Sequence, residues 1–350
     1  MPPAWEPDPV LEETPAAGTD CAVPVIIATP EPGATPLPPA LVLSDELAAS
    51  IASADAYAQG ATAERTRREY VSSFRLFEAW CARNGARALP AHPEAVRAYL
   101  AGLADRGLKP ATIDTRAAAI AYHHKAAGHE NPTAAPGVRA TIRGIRNRVG
   151  TKPNKKAPAT ADHVRKILKK LPDSLVGLRD AALISIGFAA ALRRSELVAL
   201  DLEHIERTPE GMIVHVARSK TDQEGAGHQV AVPAGTKIRP VKALDAWLSA
   251  SGIRSGPLFR QIRKGGHLTA DRLKDHAVAE IIKARAEAAG LDPRFFAGHS
   301  LRSGFVTSAL ANGADVLKVM GVTRHTQVQT LKGYDQRAQA FKDHAGRGFL

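Results

Sequence analysis

Apolar side chains in the first half of the chain recur at helical spacing. Tyr70, Phe74, Phe77 and Cys81 follow one another at steps of four, three and four, which puts them on one face of a helix. Val96, Tyr99, Leu100 and Leu103 form a second stripe, opened by Pro93 at a first helical turn. A third helix is predicted after Lys109-Pro110, with Ile113, Ala117 and Ile120 inward and the polar pair His123 and His124 behind them. Val138, Ile142, Ile145 and Val149 complete the pattern, so residues 41–149 read as a small helical bundle. Residues 150–160 carry two prolines and three lysines without apolar periodicity; they read as a basic linker that joins neither neighbouring core.

Beyond the linker the periodicity changes. Residues 160–171 and 175–191 read as helices, the second so uniformly apolar that it belongs inside a core. Short strands are predicted at 212–216 and 229–232, flanking the polar run from Ser219 to Gly225, which makes a hairpin with a long exposed tip. Helices return near Val241, Ala270 and His299. The fold class is therefore mainly α, with a small antiparallel β-sheet in a C-terminal domain spanning 161–350.

Charge narrows the choice of partner. Residues 1–40 hold eleven of the 24 prolines and cannot support a packed core, so they read as a disordered, acidic, proline-rich arm. The first 60 residues contain nine acidic side chains and no Lys or Arg, so with a net charge of +12 overall the rest of the chain carries +21. A basic body (sequence pI 9.8) suits nucleic acid or an anionic membrane surface, against the plainer reading of a generic basic surface. Arg139, Arg143, Arg146 and Arg148 give the last bundle helix a basic edge; their density favours phosphate contacts over a merely solvated face. Two cysteines exclude a disulfide framework and a Cys-rich zinc site. With no basic signal region and no apolar run near the roughly 20 residues that span a bilayer, a soluble cytoplasmic protein without membrane contact is expected.

The candidate chemistry lies in separated pieces. At the end of the apolar helix stand Arg193, Arg194, Ser195 and Glu196. They read either as a helix terminus complemented by cations or as a guanidinium held by Glu196 while it addresses a phosphate. Far downstream come His299-Ser300-Leu301-Arg302, then His325 and, nine residues on, Tyr334. Two imidazoles, arginines and a phenol suit phosphate chemistry.

In order, Arg193-Arg194-Ser195-Glu196-Leu197, Lys220 in the hairpin, His299-Ser300-Leu301-Arg302, His325 and Tyr334 resemble the tyrosine recombinase (phage integrase) family. The motifs cover about residues 160–340, and 41–149 is similar to that family's core-binding domain in position and pattern. Each piece is weakly specific; the ordered set is strongly so. The resemblance implies a site-specific recombinase that cuts and rejoins double-stranded DNA through a covalent 3′-phosphotyrosine, with four protomers holding two DNA sites and with neither cofactor nor metal. Tyr334 would be the nucleophile, and Arg193 and Arg302 would hold the non-bridging oxygens. His299 would assist the nucleophile's proton, His325 would bond a phosphate oxygen, and Glu196 would support Arg193. Lys220 would protonate the leaving 5′ oxygen, with Lys242 and Lys264 as competitors for that role.

Four positions depart from the family pattern: Ala191 and Arg324 stand where glycine is common, and Ser303-Gly304 where His-Thr is common. Two alternatives share the resemblance: DNA relaxation of the type IB topoisomerase kind, and a non-catalytic DNA-binding module of the same fold. Target sequence, accessory proteins and the choice among integration, excision and resolution are not encoded in these motifs.

Overall fold

The stripes between residues 70 and 145 fold into helices around a common core. A computed structural model describes residues 44–60, 63–151, 156–216, 227–325, 327–329 and 331. The chain divides into two compact units, residues 1–62 and 63–350. In the first, helix α1 (Asp45–Gly60) exposes Leu47, Ile51 and Tyr57. The arm expected over 1–40 lies outside the described residues.

The second unit opens with α2 (Glu64–Arg83), α3 (Pro93–Asp105), α4 (Pro110–Ala126) and α5 (Pro136–Val149). Three of them start on proline, whose fixed φ suits the first turn and whose missing N–H would have no partner there. Phe74, Phe77, Cys81, Val96, Tyr99, Leu100, Ile113, Ile120, Val138 and Ile145 share one core, while Val149 falls outside it and is exposed. His124 is structural. Its Nε2 accepts the Ala91 N–H at 2.8 Å and its Nδ1 lies 2.7 Å from the Ile120 carbonyl, which fixes Nδ1 as the protonated nitrogen.

A separate core gathers α6 (Ala161–Leu168), α7 (Leu175–Ala189), α8 (Arg194–Ala199), strands β1 (Ile205–Thr208), β2 (Gly211–Val216) and β3 (His228–Pro233), α9 (Pro240–Ser251), β4 (Arg260–Ile262), β5 (Leu268–Arg272), α10 (Asp275–Ala288) and α11 (Ser300–Ala311). Helix α12 (Val316–Thr323) packs on α11 through Val306, Leu310 and Val319, and Leu331 is buried in that same cluster. Strands β1, β2 and β3 form an antiparallel sheet with Val214 opposite Ile205 on one side and Val230 on the other. Met212, Val214, Val216, Val230 and Val232 face the core, as strand alternation requires. No helix among the described residues is long and apolar enough to cross a membrane.

Two expectations fail locally. The helix expected near Ala270 is strand β5, paired with β4 across Gly265 and Gly266, both at positive φ; the helix starts only at Asp275. Cross-strand pairing overrides the local preference there. Residues 156–160, expected to join neither core, are laced to the second of them. The Ala157 N–H donates to Phe295 O and the Ala159 N–H to Ser300 O, each at 2.8 Å, and Ala159 is fully buried. Composition hides this because backbone supplies the contacts and a small alanine supplies the packing.

Gly304 makes that lacing possible. A Cβ at 304 would sit 1.8 Å from the Ala159 carbonyl oxygen, whereas one at Gly144, on the exposed face of α5, would meet nothing within 4 Å. Gly304→Ala is therefore expected to destabilise the protein by about 2 kcal/mol or more through overpacking against backbone. Gly144→Ala should raise stability by up to about 1 kcal/mol through helix propensity. Thermal unfolding of the two variants checks both signs.

Candidate active site

Helix α7 ends in a Schellman turn: the Leu192 N–H donates to Gly187 O at 3.1 Å and the Ala191 N–H to Phe188 O at 3.0 Å. Ala191 takes the left-handed position of that turn, at φ 48°. The reversal presents its carbonyl to the Arg302 guanidinium and places Arg193 at the cap of α8. Arg272 secures the far end of α8, donating to Val198 O at 2.8 Å and to Asp201 at 2.6 Å.

Glu196 is the buried centre of the site, 3% exposed. Its Oε1 accepts Nη1 of Arg193 at 2.7 Å; its Oε2 accepts the backbone N–H of Arg193 at 2.9 Å and Nη2 of Arg324 at 2.6 Å. The carboxylate thus meets one guanidinium on each oxygen. A buried charge requires such partners, and their arrangement fixes both arginines.

Arg302, on the first turn of α11, is also buried. Nη1 donates to Ala191 O at 2.8 Å and Nη2 to the carbonyl of Thr323, so Arg302 ties the end of α7 to the end of α12. Immediately after Thr323 the chain turns at Arg324, which has φ 58°, and delivers His325. The imidazole Nδ1 lies 2.7 Å from Thr323 Oγ1, which donates to Val319 O at 2.8 Å. A hydroxyl has one proton; spent on Val319, it leaves its oxygen to accept from Nδ1–H, and Nε2 keeps a lone pair. If the hydroxyl rotates toward Nδ1, Nε2 becomes the donor.

The electrostatics show convergence on one place. Burial, followed by the charges of Arg302, Arg193 and Arg324, pushes His325 down to about 4. His299, at the start of α11 with its side chain accessible to solvent, is lowered first by desolvation, then by Arg194, Arg302 and Arg193. Both shifts favour the neutral imidazole over the imidazolium. Arg193, Glu196, His299, Arg302 and His325 are brought together. Lys220 and Tyr334 lie outside the described residues, and Arg139, Arg143, Arg146 and Arg148 stand exposed on α5 in the bundle, Arg146 paired with Asp114 at 2.9 Å.

Three residues here are given no role by the sequence. Arg324 reads in sequence as a departure from glycine, yet it binds Glu196. Thr323 supports both His325 and Arg302. Arg194 ion-pairs with Asp275 at 3.4 Å and is the foremost charge acting on His299. Its stem lies where a Cβ on Gly298 would approach within 2.8 Å, so the glycine before His299 makes room for it. The Arg193–Glu196 spacing is visible as a signal, but not the fold that joins it to Arg324.

The phage integrase family model matches residues 159–340, which spans the whole of this arrangement. The chain is 41% identical over 290 residues to the integrase/recombinase xerD homolog of Selenomonas ruminantium, covering 81% of this chain and 84% of that one. It is 28% identical over 294 residues to the recombinase cre of Escherichia phage P1, covering 78% and 84%. In fold it is similar to a lambda integrase dimer bound to a COC′ core site, with a TM-score of 0.55 at 18% identity, over 78% of this chain and 89% of that one. The chain belongs to the phage integrase family. It is a tyrosine recombinase, an enzyme of site-specific DNA strand transfer.

Removing the Thr323 hydroxyl tests how His325 is held. Thr323→Val keeps the side-chain shape but deletes the Nδ1 partner, a bond worth about 1 kcal/mol, so cleavage of a cognate site should slow about fivefold or more with DNA affinity unchanged. Single-turnover cleavage and equilibrium binding, measured side by side, check this.

Proposed function

We propose that this recombinase breaks and rejoins double-stranded DNA by transesterification at Tyr334. The phenolate oxygen attacks phosphorus, the bond from phosphorus to the 5′ oxygen breaks, and its electron pair leaves on that oxygen, which takes a proton from Lys220. The 3′-phosphotyrosine keeps the energy of the broken ester, so rejoining by a 5′ hydroxyl needs no ATP. Arg193 and Arg302 neutralise the charge that builds on the non-bridging oxygens, His299 handles the tyrosine proton, and His325 bonds a phosphate oxygen. No metal is assigned a role, because guanidinium and imidazole groups supply the stabilisation.

The observation that carries this reading is that the guanidinium groups are braced from behind. Arg193 rests on Glu196, and Arg302 rests on two backbone carbonyls, in a site where both imidazoles feel both arginines. Donors fixed before the reaction stabilise developing charge without reorganisation, commonly the largest part of catalysis.

We further assign residues 41–149 to DNA binding and 161–350 to catalysis, joined by the basic segment 150–160. Arg139, Arg143, Arg146 and Arg148 are taken as phosphate contacts, four protomers as the assembly on two sites, and the cytoplasm as its compartment. The arm 1–40 is given no part in the chemistry.

Incubating the protein with a nicked duplex carrying its own site, in the presence of a chelator, should yield a covalent protein–DNA complex that Tyr334→Phe abolishes; an adduct persisting in that variant overturns the assignment of the nucleophile. Replacing Arg139, Arg143 and Arg148 by alanine should reduce the slope of log affinity against log salt by about 2 to 3, at roughly 0.9 per phosphate contact. An unchanged slope removes α5 from the DNA interface.

A further inference from the structure

We propose that Arg324 is a positioning residue that acts through Glu196 on Arg193, an inference that rests on the transesterification reading above. Among the described residues only Ala191 and Arg324 hold a positive φ without being glycine. Ala191 has the smallest side chain that could bear the strain. Arg324 has one of the largest, and it is not turned out to solvent: it is 8% exposed, and burial, more than any neighbouring charge, lowers its pKa. Its Nε is buried with no hydrogen-bond partner among the described residues. Left-handed backbone, a buried cation and an unpartnered N–H each cost free energy. Such strain persists where the surroundings fix it, and here they are the active site.

The contact with Glu196 supplies a reason. A carboxylate facing a single arginine favours the two-pronged ion pair, in which both oxygens are given to one guanidinium. That arrangement would neutralise Arg193 and turn its fork inward, away from any phosphate. Here Arg324 Nη2 and the Arg193 backbone N–H hold Oε2, so the Arg193 guanidinium reaches the carboxylate through Oε1 alone. The cluster of two guanidiniums and one carboxylate also retains a net charge of +1 where a simple pair would have none. Arg324 therefore braces Glu196, keeps Arg193 from collapsing onto it, and leaves a positive charge beneath the scissile phosphate.

Glycine separates the side chain from the backbone, because it accepts φ 58° without strain and preserves the turn into His325. The probe is a nicked duplex carrying a cleavage site mapped by covalent capture of the wild-type protein on sheared genomic DNA. At saturating DNA, Arg324→Gly should form adduct at least tenfold more slowly than wild type, Arg324→Lys should recover part of that loss, and Arg324→Gln should not. The double variant Glu196→Gln with Arg324→Gly should be no slower than Glu196→Gln alone. Wild-type speed in Arg324→Gly, or effects of the two substitutions that multiply independently, overturns the proposal. A wild-type protein that forms no Tyr334-dependent adduct sinks the transesterification reading instead. In that case thermal unfolding of the same variants without DNA decides the contact: a coupled loss of stability supports it, and additive losses overturn it.

Discussion

A carboxylate taken out of water has to be matched by charge and by hydrogen bonds, and the Glu196 side chain organises the site by meeting that requirement. With both oxygens buried, it draws in the Arg193 guanidinium, the Arg193 backbone N–H and the Arg324 guanidinium, joining the start of α8 to the end of α12. Removing one partner of a buried ion pair typically costs about 3 to 5 kcal/mol, because the remaining charge is stranded. The three charged groups therefore stand or fall together. In the proposed reaction, the side of the site that meets the phosphate inherits its geometry from a cluster that itself faces inward.

Two chain reversals complete the frame. The Schellman turn after α7 and the left-handed turn after α12 present the carbonyls of Ala191 and Thr323, and Arg302 bonds to both. An arginine is suited to this because its planar fork can address two acceptors and keep its charge. Both reversals use positive φ at residues other than glycine, at the two positions where the family commonly has glycine. The conformation is what such a site needs, and this chain reaches it with Ala191 and Arg324. In the second case the side chain has become part of the site.

Much of the organisation is legible in the sequence because it depends on periodicity and order. The stripes at Phe74 and Leu100, the buried α7, the hairpin of β2 and β3, and the ordered Arg, His and Arg set all produce local signals. The features that escape a sequence reading depend on contacts between distant parts of the chain. Leu268 to Arg272 becomes a strand because β4 pairs with it, and Ala159 is buried because its own backbone meets α11 across Gly304. Arg324 reads as an irregularity because its partner lies 128 residues earlier. Candidate reacting groups, and Glu196 beside Arg193, can be named from the order of residue types, whereas the support given by Thr323 and Arg324 emerges only from tertiary packing.

If the site works as its bracing indicates, the guanidiniums of Arg193 and Arg302 are fixed before DNA arrives. Nitrogen NMR of the guanidinium groups in the DNA-free protein, resolved by substitution of Arg193 and Arg302 one at a time, tests this directly. Hindered rotation about the Cζ–Nη bonds and slow hydrogen exchange are expected for both residues, in contrast to the exposed arginines of α5. Guanidiniums of Arg193 and Arg302 that rotate and exchange as freely as those on the surface would contradict it.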